Sequence, residues 1–145
     1  MESTMRFLKN IFTATLALAI SGTLALGDVV VVVSAKSPVT TLTKNQIADI
    51  YLGKSARFPD GSPAVPIDQA EGEAVRDEFY TNFAAKSAAQ IKAHWSKIIF
   101  TGRGQPPKAV LNSEEIKQLL ARDPRAIGYI ERSAVDGSVK VLNPP

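Results

Sequence analysis

Apolar residues recur along this chain in two rhythms, and their alternation predicts short strands interleaved with amphipathic helices. Val29 to Val33 is an unbroken β-branched run. A short, wholly apolar strand of this kind is buried on both faces, which predicts a central strand of an α/β sheet. Ser37-Pro38 then breaks the chain. Thr43-Lys44-Asn45-Gln46 is a capping-box pattern, followed by Ile47, Ile50 and Tyr51 at helical spacing, with Gly53 placed to end the helix in the left-handed conformation. Phe58 to Pro63 reads as a turn-rich loop. Ala64 to Asp68 reads as a short strand in which Pro66 argues for an edge or a strand end. A helix is predicted from Glu71 to Ala85, with Val75, Phe79 and Phe83 on one face. Ser87 to Gln90 repeats the capping box and opens a helix carrying Ile91, Trp95, Ile98 and Ile99. After the loop Thr101 to Pro107, Ser113 is placed to cap a helix holding Ile116, Leu119 and Leu120, which Asp123-Pro124 stops. Ala126 to Ile130 and Val139 to Leu142 read as strands. No linker, repeat or low-complexity tract divides the unit.

Ahead of this unit the pattern differs. Arg6 and Lys9 precede Asn10 to Leu26, which carries no charge and is densely apolar from Ile11 to Ile20. Small residues then lead to Ala25-Leu26-Gly27 before Asp28. A basic start, an apolar stretch and a small-residue exit form the three-part secretory signal pattern. Ser21, Gly22 and Thr23 interrupt the stretch, which is short for a spanning helix of about 20 residues. Residues 1–27 are therefore expected to be a cleaved signal peptide, and 28–145 a single domain exported to the periplasm. No second apolar stretch of the chain is long enough to span a membrane, so the mature form is not expected to do so.

Charge changes the picture little. The chain has 17 Lys+Arg and 14 Asp+Glu, a net charge of +3, with the signs interspersed. No basic run or basic–aromatic alternation points to nucleic acid. The absence of cysteine removes disulfides, iron–sulfur clusters and thiol catalysis. His94 is the only histidine, too little for an ordinary zinc site. Trp95, at the spacing of Ile91 and Ile98, reads as core. Asp68, Glu71 and Glu73 have no nucleophile or oxyanion site beside them and fit the acidic first turn of a helix. No metal, cofactor or enzymatic activity is expected.

The segment Thr101-Gly102-Arg103-Gly104 is the strongest candidate for an anion site. Its glycines permit convergent N–H groups, and Arg103 offers a planar fork for phosphate or carboxylate; Arg76 could complete a basic cleft.

Three segments carry a family resemblance. Leu42 to Lys54, with Leu42-Thr43 and Ile50-Tyr51-Leu52-Gly53-Lys54, resembles a helix of the periplasmic phosphate-binding proteins of ABC transporters. Val31 to Val39 is similar to the segment before that helix, and Pro124 to Ile130 is similar to their Gly-Ala-Ile-Gly-Tyr strand. The resemblance implies an α/β fold, one lobe of the type 2 periplasmic-binding-protein fold, with a mixed, mainly parallel sheet flanked by helices. It also implies a phosphate loop of the form Arg-x-Asp-Gly-Ser-Gly-Thr. Anchored on Phe79, that loop falls on Gln69, Ala70, Glu71, Gly72, Glu73, Ala74 and Val75. Only the first glycine is kept, and Glu71 and Glu73 put negative charge where an anion would sit. The resemblance implies a solute-binding-like protein that takes a small inorganic or organic anion and works with an inner-membrane permease. A ligand-free module docking on a membrane sensor or permease stays open beside it.

Overall fold

A computed structural model describes residues 29–142; the expected signal peptide lies outside them. Among the described residues five strands and four helices occur in the order β1 (Val29–Ser34), α1 (Lys44–Tyr51), β2 (Val65–Gln69), α2 (Ala74–Ala84), α3 (Ala88–Phe100), β3 (Lys108–Val110), α4 (Ser113–Arg122), β4 (Ala126–Glu131) and β5 (Val139–Val141). A 3-10 turn, Arg132–Ala134, follows β4.

The strands form one sheet in the order β3-β2-β4-β1-β5. β2 runs parallel to both β3 and β4, while β1 runs antiparallel to β4 and β5. Four strands therefore point one way and β1 alone opposes them, which is the mixed, mainly parallel sheet that the resemblance implied.

The unbroken valines of β1 have a direct physical reason. Val29, Val31 and Val33 join a core with Ile47, Tyr51, Phe79, Ile91 and Trp95, from α1, α2 and α3. Val30 and Val32 join a second core with Ile116 and Leu120 of α4. The sheet is thus covered on both faces, by three helices on one and α4 on the other. Both of its faces being dry, β1 shows no alternation of polar and apolar residues. It lies one strand in from the β5 edge.

Both capping boxes form. The hydroxyls of Thr43 and Ser87 accept the N–H of Gln46 and Gln90, whose side chains return to the cap N–H groups. Gly53 adopts φ +75 at the end of α1, and the Trp95 ring rests on it so closely that an added Cβ would lie 2.8 Å from the ring.

Elsewhere the structure corrects the pattern. α2 begins at Ala74, three residues later than Glu71, because Gly72 takes φ +94 and keeps the loop out of helical geometry. Asn112, not Ser113, caps α4, its side chain accepting the N–H of Glu115. β3 fell within no predicted element. β2 is flanked on both sides, and Pro66 is tolerated at its start because β3 pairs only from Ile67 onward.

Candidate functional site

The parallel strands β2 and β4 share register only at Val65–Ala126 and Pro66–Ile127. Beyond that point side chains bridge the gap between them. The Tyr51 hydroxyl lies 3.0 Å from the carbonyls of both Ile67 and Ile127. Gln69 donates from Nε2 to the Tyr129 carbonyl at 3.0 Å and to Ser113 Oγ at 3.3 Å. Ser113 in turn donates to Glu131 Oε2 at 3.0 Å. A crevice at the carboxyl ends of parallel strands is where open α/β sheets place ligands. Here the protein's own polar groups fill it.

Asp68, near the end of β2, is the centre of this filling. It is 4% exposed. Tyr80 of α2 donates to Oδ2 at 2.6 Å, and the backbone N–H of Gln69 donates to Oδ1 at 2.8 Å. The Tyr129 hydroxyl of β4 also donates to Oδ1. Arg76 Nε stands 3.5 Å from Oδ1, an ion pair without a hydrogen bond. The Arg76 guanidinium lies over the Tyr80 ring, 5.1 Å from its centroid. Phe79 stacks on Tyr129 at 4.0 Å between centroids. Burial, and after it the charge of Asp68, push the hydroxyls of Tyr51, Tyr80 and Tyr129 well above the ordinary tyrosine range.

The segment matching the phosphate loop sits beside this cluster. Gln69 is buried in the crevice, and Val75 is partly buried against the core. Gly72 and the side chains of Glu71 and Glu73 face solvent. Glu71 pairs with Lys92 of α3 at 3.5 Å on the exposed rim. Glu73 occupies the cap position of α2 without a side-chain capping bond.

Thr101, Gly102, Arg103 and Gly104 form the exposed C-terminal turn of α3. The Gly102 N–H donates to Ile99 O and the Arg103 N–H to Ile98 O, while the Thr101 hydroxyl returns to the carbonyls of Lys97 and Ile98. These donors close the helix, as Schellman-type caps do, so the backbone N–H groups of Gly102 and Arg103 do not converge on solvent. Arg76 instead lines a cleft of about 230 Å³ with Glu71, Lys92, Trp95, Ser96 and Ile99, and Arg103 is not part of its wall. His94 Nε2 lies 2.8 Å from the Leu52 carbonyl, tying α3 to the end of α1.

Pattern reading missed the Asp68 cluster. It treated Asp68 together with Glu71 and Glu73 as helix-start acidity, and no local spacing connects it to Tyr129, distant in sequence on another strand. The available signal was compositional: the chain has three tyrosines, and each falls within a predicted element beside its apolar residues.

Comparison with known proteins follows the same line. No protein-family model matches the chain, and neither does any curated protein sequence. Solved structures do. A protein from Clostridium perfringens assigned as a phosphate ABC transporter substrate-binding protein, with bound phosphate, superposes with a TM-score of 0.62 at 26% identity, over 81% of this chain and 44% of that one. An ABC-type phosphate transport receptor from Vibrio cholerae gives 0.64 at 21% identity, over 81% and 47%. PstS from Borrelia burgdorferi gives 0.61 at 13% identity over the same shares. The resemblance to phosphate-binding-like substrate-binding proteins therefore holds in three dimensions, and this chain has the fold of one lobe. It spans less than half the length of those structures. Among the described residues no helix is long and apolar enough to cross a membrane.

Proposed function

We propose that this chain is an exported solute-binding-like lobe of the cell envelope, in which residues 1–27 direct secretion to the periplasm and 28–145 form the binding unit. The observation that carries this reading is the shared fold with a substrate-binding protein solved with phosphate bound, at 26% identity over 81% of this chain. The similar structures are named for transport rather than catalysis, which supports a non-enzymatic role. The ligand is a small anion, and Arg76 is the residue best placed to meet it, since its only charged partner among the described residues is Asp68 behind it. The segment Gln69 to Val75 is a poor phosphate loop, because Glu71 and Glu73 repel a doubly charged anion there. The partner in this reading is an inner-membrane permease.

Titration calorimetry with phosphate, sulfate and small carboxylates tests the reading. Saturable heat is expected with at least one anion, weakened at least tenfold in Arg76→Gln and unchanged in Arg103→Ala. Heat lost only in Arg103→Ala would return the site to the turn Thr101 to Gly104. No heat with any anion would overturn the binding reading and favour a docking module for a membrane permease or sensor. Phe100, 93% exposed, with Ile99 and Leu111 also exposed, is the observation that favours this second reading.

A further inference from the structure

Two of the residues that line the cleft between α2 and α3 carry a buried donor with no acceptor. Arg76 Nε and Trp95 Nε1 are both buried and lack a hydrogen-bond partner, and both residues line this cleft. Trp95 as a whole is 7% exposed. A buried N–H without a partner carries an unrecovered desolvation cost, so such groups mark strain or a site for a ligand. On α3, Ile91, Lys92, Trp95, Ser96 and Ile99 share one face of the helix, and all of them line the cleft. The floor and walls are therefore apolar at Ile91 and Ile99, with polar groups confined to Arg76, the Ser96 hydroxyl and the Lys92–Glu71 pair on the rim.

Charge narrows the ligand. Asp68 offsets Arg76 from behind, and Glu71 offsets Lys92 in front. The site has no surplus positive charge with which to hold a doubly charged phosphate. A single carboxylate can take the forked donors of Arg76, and an apolar body attached to it can lie along Ile91 and Ile99. The volume of about 230 Å³ suits a small molecule rather than a folded partner.

We propose that this cleft binds small amphipathic monocarboxylates, the carboxylate on Arg76, with the exposed Ser96 hydroxyl as a further donor and the Trp95 ring as part of the wall. The proposal rests on the solute-binding reading and names its ligand class. Trp95 is the only tryptophan of the chain, so its emission reports on this cleft and on the neighbouring cavity beside Gly53 that it also lines, and the variants tell the two apart.

The test titrates the purified protein with acetate, butyrate, hexanoate and benzoate, with hexanamide as the uncharged control and inorganic phosphate in parallel. Emission from Trp95 and calorimetric heat are both recorded. Affinity is expected to rise about fourfold per added methylene until the cleft is full. Hexanoate is expected to bind at least tenfold more tightly than hexanamide. Arg76→Gln abolishes binding. Because that change also uncovers Asp68, Ile99→Glu serves as the second variant. It leaves the Asp68–Arg76 pair intact, sets a like charge at the mouth, and is expected to weaken hexanoate at least tenfold with an unaltered circular dichroism spectrum. Carboxylate binding untouched by Ile99→Glu would overturn the assignment to this cleft. Phosphate binding without any carboxylate binding would overturn the ligand class and spare the solute-binding reading. Binding of neither would overturn both.

Discussion

Asp68 holds more than its own charge. Two tyrosine hydroxyls and a backbone N–H donate to it and a guanidinium pairs with it, so all four lose their shared partner when the carboxylate is removed. Breaking a buried ion pair from one side costs about 3–5 kcal/mol. Asp68→Asn is expected to lower stability in urea unfolding by that amount. Tyr129→Phe, which removes one donor and leaves the others, is expected to cost about 1–3 kcal/mol. A loss below about 1 kcal/mol for Asp68→Asn would show that the cluster is solvated rather than sealed.

The same cluster fixes the response to alkali. All three tyrosines of the chain have hydroxyls pushed above the ordinary value of 10.0 by burial and then by Asp68. The folded protein therefore keeps these protons where the unfolded chain releases them. That contribution is complete below pH 10 and falls away as the pH rises above it, toward the higher folded-state values. Spectrophotometric titration is expected to show tyrosinate appearing in one step that coincides with loss of far-ultraviolet dichroism. A separate tyrosinate step in the folded protein would contradict the burial of these hydroxyls.

Among the elements, α4 is held to the sheet by a glycine. At Gly128 an added Cβ would lie 2.5 Å from Ile116 Cγ2 and 3.3 Å from Leu120 Cδ1. Gly128→Ala must push α4 off β4, and overpacking of this kind costs about 1–3 kcal/mol. The capping serines and threonines are worth less: Thr43→Ala or Ser87→Ala is expected to cost about 1 kcal/mol each in urea unfolding.

These elements also show where a local pattern suffices. α1 and α3 were legible because a capping box, an apolar face and a terminator follow one another without interruption, from Thr43 to Gly53 and from Ser87 to Gly102. β1 was legible as a buried strand because both of its faces are dry. β3 was not, since Lys108 and Ala109 are exposed on an edge strand that owes its form to pairing with β2. The site divided in the same way. Arg76 was found as a cation at a helix start. The candidate anion turn at Thr101 to Gly104 showed its glycines but not the helix carbonyls that take the N–H groups of Gly102 and Arg103. The roles of Trp95 and Ser96 in the cleft depend on how α3 lies against α2, which no spacing encodes.

For the whole molecule, the two cores share one sheet, and neither face can be dry without the other. A single cooperative transition is expected, with near- and far-ultraviolet dichroism coincident in urea. A chain ending at Arg125 would leave β1 without either of its partners, β4 and β5. Such a chain is expected to lack near-ultraviolet signal altogether; a native-like spectrum would mean that β1 is dispensable.

The opposed direction of β1 has a kinetic side. The strand that comes first in the described chain pairs only with the two that come last, so the sheet cannot close until nearly every residue is available. Pairings so distant in sequence form slowly. A polypeptide that must pass a membrane pore as an open thread gains from this arrangement: its leading strand finds no partner until the trailing end has cleared the pore. Under the proposed export, the topology itself would delay folding for as long as passage lasts.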